Sequence, residues 1–319
     1  DLAIEADAGG IKPAGSSTTP GAYLNASFLN SAQGDLRVQG VGASGLVNPE
    51  FPFGNPGIFV DAVSLSAANG LVTLKGEGGT STSPPSVLDS PLAPGNNSGI
   101  VMLSSSLTSS GFDLNGAGGA ALSGDGNGGV FLSQSTLVAT GPSPSQVRGS
   151  ASAGQDLNYG VIIGPVAGVE TRLATAGDLL IRGSGSGASL GDFNIGVYIG
   201  ENASVIVDNP RAGQFSDLSI GGLSGTGNDS NWGFLTLGAT LQADGATLIE
   251  GVSQGSGSGN DGVVIVNASI GVGESLAISG TAGTGENQTG VNIQGANIQG
   301  DGNTTASIGG KGAACRMFL

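Results

Sequence analysis

A short unit of glycine, an apolar residue, any residue and a second apolar residue returns nine times along this chain and confines it to a repeat architecture. It stands at Gly21-Ala-Tyr-Leu24, Gly57-Ile-Phe-Val60, Gly99-Ile-Val-Met102, Gly129-Val-Phe-Leu132 and Gly160-Val-Ile-Ile163. It continues at Gly196-Val-Tyr-Ile199, Gly233-Phe-Leu-Thr-Leu237, Gly262-Val-Val-Ile265 and Gly290-Val-Asn-Ile293, with 28 to 42 residues between successive glycines. A unit of this size cannot bury its apolar face alone; it is stabilised by stacking on its neighbours.

Two more short alternating runs follow each unit. The first is Ala26-Ser-Phe-Leu29, Val63-Ser-Leu65, Ser135-Thr-Leu-Val138 or Ala203-Ser-Val-Ile206. The second ends in a glycine cluster, as in Asp35-Leu-Arg-Val-Gln-Gly40, Leu71-Val-Thr-Leu-Lys-Gly76, Asp178-Leu-Leu-Ile-Arg-Gly183 and Asp217-Leu-Ser-Ile-Gly221. Period-two alternation punctuated by Gly, Asn, Ser and Asp is the mark of strands and turns, and no stretch keeps an apolar period of 3.6. The chain is therefore expected to be all-β, a parallel β-helix (solenoid) of about nine coils with three short strands each. At the usual strand spacing of about 4.8 Å such a rod is roughly 45 Å long. A sandwich or barrel also has short strands and glycine turns, but gives no reason for three strand positions to recur in one order. One domain is expected over residues 1–312, with 313–319 a non-repeat tail. The Pro/Ser stretches Thr80–Pro94 and Gly141–Gln146 read as side loops.

Composition supports the repeat. Glycine makes up 62 of 319 residues without recurring every third position, which excludes collagen, while Ile, Val, Leu and Phe keep regular strand positions, which excludes disorder. Nine Lys and Arg against 24 Asp and Glu give a net charge of −15. Cations this sparse offer no groove for a phosphate backbone, so neither nucleic acid nor an anionic membrane surface is an expected partner. The single cysteine, Cys315, leaves the coils without disulfides or a thiolate metal site. No apolar run is long enough to span a bilayer as a helix.

Asp1-Leu-Ala-Ile4 matches the closing strand of a coil whose first two strands are missing, and no cap or signal peptide precedes it. The chain is accordingly expected to be a segment of a longer protein.

Gly196-Val-Tyr-Ile-Gly200, then Ala203-Ser-Val205, then Asp217-Leu-Ser-Ile-Gly-Gly222 with its Gly/Ser/Thr tail resembles the repeat region of filamentous-haemagglutinin-like bacterial adhesins. The resemblance covers nearly the whole chain. It implies a right-handed parallel β-helix, export by two-partner secretion through an outer-membrane partner, and a secreted or cell-surface location. It implies adhesion to host or neighbouring-cell carbohydrate or protein, with no small-molecule substrate and no cofactor. The family's export domain carries Asn-Pro-Asn motifs, whereas Asn48-Pro-Glu, Asn55-Pro-Gly and Asn209-Pro-Arg lack the third residue. No binding residue can be transferred, because these repeats share no site motif.

Two rival functions remain open at this point. A polysaccharide lyase or glycoside hydrolase could use carboxylates on adjacent coils, about 5 to 9.5 Å apart for hydrolysis. Asp35, Asp178 and Asp217 precede the closing strand and are the candidates, but residues that recur with a repeat usually serve its turns. Arg148, Arg172, Arg182 and Arg211 fall at unrelated repeat positions, and histidine is absent. The chain is therefore read as non-catalytic, with no catalytic, cofactor or metal residue assigned. A calcium-stabilised surface-layer or matrix protein is the other rival. Asp125-Gly-Asn127 and Asp301-Gly-Asn303 are similar to calcium loops but lack the complete pattern, and turns are the simpler explanation. Tyr198, pointing outward between Val197 and Ile199, and Trp232 could form a sugar-stacking platform, although isolated surface aromatics are commonplace.

Overall fold

The computed structural model describes residues 2–7, 20–44, 54–80, 97–120, 127–154, 156–164, 168–186, 191–211, 213–312 and 314–318. Among them there is no helix, and every named strand pairs in parallel with its counterpart one coil away. The glycine-led strands stack in chain order into a ten-stranded sheet: Ala22–Asn25, Ile58–Asp61, Ile100–Leu103, Val130–Ser133, Tyr159–Ile163, Ile195–Ile199, Phe234–Leu237, Val263–Val266, Thr289–Gln294 and Ala314–Phe318. The other two strands of each coil share a 17-stranded sheet, because Ser64–Glu77 and Ser106–Ala117 run unbroken through the corner between them. Its halves form the second wall, as at Thr171–Thr175 and Ala203–Val207, and the third, as at Leu179–Ser184 and Leu218–Leu223. The result is a parallel β-helix of nine three-stranded coils, flanked by Leu2–Asp7 below and Ala314–Phe318 above. Connections between parallel strands of one sheet are right-handed in nearly all proteins, which is the winding sense expected here.

Register turns the repeat into a core. Val161, Val197, Phe234 and Val263 are partners on the first wall. Leu137, Leu173, Val205 and Leu241 are partners on the second, and Val147, Ile181, Ile220 and Ile249 on the third. All twelve are fully buried in one continuous cluster. Burying a side chain of this kind is worth about 1.5–3 kcal/mol.

The repeating glycines are explained by close approach. The third wall's Gly183 packs on Gly196, which opens the next coil; a Cβ at Gly183 would overlap the Gly196 carbonyl, and one at Gly196 would overlap the backbone of Leu223. The same seam joins Gly149 to Gly160 and Gly251 to Gly262. Here two walls meet backbone to backbone, with no room for any side chain. The corner after the first wall turns on one left-handed residue in most coils, such as Ala62 (φ 53°), Gln134 (φ 53°) and Asn267 (φ 52°).

Several sequence readings change. Ser145 and Gln146 are not loop: they begin the strand Ser145–Ser150, which fills the third wall between Ser106–Ala117 and Leu179–Ser184. Ala314–Phe318, which does not resemble the repeat, pairs in parallel with Thr289–Gln294 as the tenth strand of the first wall. The remainder of the Thr80–Pro94 stretch beyond Thr80, Asp125 and the Cys315 side chain lie outside the described residues.

The first wall is apolar on both faces. Outward-pointing Phe59, Val101, Phe131, Ile162, Tyr198, Leu235 and Val264 form a second cluster, from 0% to 7% exposed. Tyr198 does point outward, but at 4% exposure it is no surface aromatic. Its ring lies 6.5 Å from Tyr159, and Trp232 is half-buried with its ring edge-on to Phe193 at 5.8 Å. A sheet covered on both faces carries near-continuous apolar runs, which explains Gly-Ile-Phe-Val and Gly-Val-Ile-Ile.

Candidate ligand-binding face

The outer face of the third wall brings together Lys75, Arg148, Arg182 and Glu250, which the sequence scatters. One outward column reads Gln39, Lys75, Asn115, Arg148, Arg182, Gly221, Glu250 and Ser279 in successive coils. Arg148 and Arg182 are thus register partners on adjacent strands, not residues at unrelated positions. Their 34-residue separation in sequence becomes one strand spacing of about 4.8 Å. Arg172 lies on a different wall, in register with Thr136 and Ser204.

Gly221 shapes the column. Its missing side chain leaves space that the Arg182 guanidinium occupies, and a Cβ there would strike Arg182 Nη1. Arg182 crosses that coil and donates to Glu250 Oε2 at 3.4 Å. Both side chains are nearly half-exposed, at 45% and 43%. Arg148 has no ion pair among the described residues. Beside this column runs another, of Ser150, Ser184, Leu223, Val252 and Thr281. Leu223 and Val252 are exposed at 36% and 39%. The two columns bound an open groove of about 550 Å³. Chemically it offers a free guanidinium, a guanidinium–carboxylate pair, hydroxyls and an apolar ledge.

Of the three aspartates singled out from sequence, Asp178 and Asp217 stand on adjacent coils, and Asp35 lies apart from them. Asp178 accepts from the Asp217 backbone N–H at 2.9 Å, and Asp217 in turn from Ala246 N–H at 2.8 Å. Asp35 accepts from Leu71 N–H at 3.0 Å, and this bond, then Arg37 at 3.2 Å, holds its carboxyl below the usual range. Each carboxylate bonds the next coil, which is a stacking role. A parallel series joins Asp156, Asp192 and Asp229 through the N–H groups of Asp192, Asp229 and Ser258. Asp301 closes a turn with Thr304, whose hydroxyl lies 3.0 Å from its Oδ1. Among the described residues no three His, Cys, Asp or Glu side chains form a ligand group.

An asparagine ladder escaped the sequence reading. Asn97, Asn127, Asn158, Asn194, Asn231 and Asn260 are buried one above another, each amide donating to the next Oδ1 at 2.7–3.3 Å. The signal was available: each stands two residues before a repeat glycine. Asn127, half of a supposed calcium loop, belongs to this ladder. Burial raises the phenols of Tyr159 and Tyr198, with a further push from each one's neighbour: Tyr198 for Tyr159, Glu201 for Tyr198.

Compared with protein-family models, curated proteins and solved structures, the chain matches none of them.

Proposed function

We propose that this chain is a structural and adhesive repeat segment of an exported bacterial cell-surface protein, acting in cell adhesion or as a stalk without catalysis. The supporting observation is the use made of its repeated polar side chains. Asp178, Asp217 and the asparagine ladder bond the backbone or side chains of the next coil, so they serve to stiffen a rod. Extended surfaces on such a rod suit many weak contacts, which gain avidity together. The partner class is carbohydrate or protein on another cell surface, and the full-length protein would use an outer-membrane export partner.

A second reading, polysaccharide processing, is favoured by one observation: Arg148, Arg182 and Glu250 meet in a groove. Only one carboxylate lines it among the described residues, whereas hydrolysis between two carboxyl groups needs a pair. Incubating the purified chain with immobilised cell-surface polysaccharides separates the two. Retention on the surface with no release of reducing ends or unsaturated products supports the adhesive reading. Release of either product overturns it.

A further inference from the structure

We infer that the groove over the third wall binds a carboxylate-bearing saccharide, with Arg148 as the anchor for the carboxylate. Three observations on this one face carry the assignment. Arg148 is a guanidinium with no ion pair among the described residues, in a chain of net charge −15, beside a second guanidinium in register. Planar guanidinium and carboxylate groups match in bidentate geometry, which selects a carboxylate over a neutral polar group. Arg182 is already committed to Glu250, so the pair adds one donor set and one acceptor set without a second net positive charge. That is the arrangement to meet hydroxyls of a sugar ring next to its acid group.

The apolar ledge narrows the class further. Leu223 and Val252 are neighbours in register, exposed, and lie beside Gly221 and Glu250. Ser150, Ser184, Ser279 and Thr281 continue the lining with hydroxyls. A pyranose presents a C–H face to such a ledge, hydroxyls at its edge and, in a uronate, one carboxylate. The ledge and the hydroxyl lining together favour the saccharide over an acidic peptide.

The inference rests on the adhesive reading only in holding the ligand uncut. The test is titration of the full 319-residue chain with an oligogalacturonate. Its methyl ester, a heparin-type sulfated oligosaccharide and polyglutamate serve as comparisons. Saturable binding is expected for the free acid, weaker by about tenfold or more for the ester and for Arg148→Gln. Arg172→Gln, on another wall, is expected to bind as the parent does. No saturable binding of the acid, equal binding of the ester, tighter binding of the sulfated or peptide probe, or an unchanged Arg148→Gln would each overturn the site. If Arg148→Gln fails to fold, judged by its melting curve, the acid-to-ester comparison on the parent chain still decides. Cleavage of the probe would overturn the non-catalytic reading and leave the site standing.

Discussion

Arg182 reaches Glu250, 68 residues away, only because Gly221 between them has no side chain. The same residue type has a different job at the seam, where Gly183 lies on the Gly196 carbonyl. The two glycines therefore predict opposite outcomes. Gly221→Ala displaces a flexible, exposed side chain and is expected to change stability by less than about 1 kcal/mol. Gly183→Ala forces backbone against backbone and is expected to cost about 3 kcal/mol. Urea midpoints of the two variants measure the contrast; equal values would contradict the seam.

The asparagine ladder predicts a large loss from one small change. Asn194 accepts the Asn158 amide at 2.7 Å and donates to Asn231 at 3.0 Å. Asn194→Ala removes the Oδ1 that accepts from Asn158 and one of the two donors to Asn231 Oδ1, which keeps the Asn194 backbone N–H at 2.9 Å, at about 2 kcal/mol. Asn115→Ala, on the exposed column, is expected to stay within about 0.5 kcal/mol of the parent. Denaturant unfolding compares them.

At the first corner, Ala62 is exposed and holds φ at 53°, a conformation in which Cβ crowds the following carbonyl. Ala62→Gly relieves that crowding while loosening the unfolded chain, so a net gain of about 0.5–1 kcal/mol is expected. A lower melting temperature for the variant would contradict it.

Acid should find Asp35. Its carboxyl titrates below the ordinary value through the Leu71 N–H and Arg37, so its contribution is present above the unfolded-state value of about 3.9. That contribution is lost as pH falls through the lower folded value, because the unfolded chain then binds the proton first. Asp35→Asn should lose less stability than the parent between about pH 5 and pH 2. Paired unfolding curves across that range give the answer.

Alkali should find the tyrosines. Tyr159 and Tyr198 are held neutral by burial, so their folded values lie above the ordinary value of about 10. Their contribution is complete below that value and is lost as pH rises towards the folded values, since the unfolded chain releases its protons earlier. Tyr159→Phe with Tyr198→Phe should flatten the loss of stability above about pH 10. An unchanged slope would mean that solvent reaches both hydroxyls.

Much of this was written in the spacing of residues. The nine glycine-led units all became strands of one wall, and Leu2–Asp7 pairs with Leu36–Val41 as its sequence suggested. The strand Ser145–Ser150 was hidden because proline and serine at its entrance read as loop, although Val147 fills the same core column as Ile181. The asparagine ladder was hidden for a related reason. Asparagine before glycine is ordinary turn chemistry, and only stacking converts the turn side chains into a buried hydrogen-bonded series.

Sequence by itself determined the three-strand coil and which residues of each strand turn inward. These depend on alternation along the chain, where neighbours in sequence are neighbours in space. Tertiary structure alone decided that Arg148 stands beside Arg182, that Gly221 makes way for a guanidinium, and that Tyr198 is covered. With successive repeat glycines 28 to 42 residues apart, the register between coils is not fixed by counting. It is fixed by which hydrogen bonds and apolar columns close together when the coils stack.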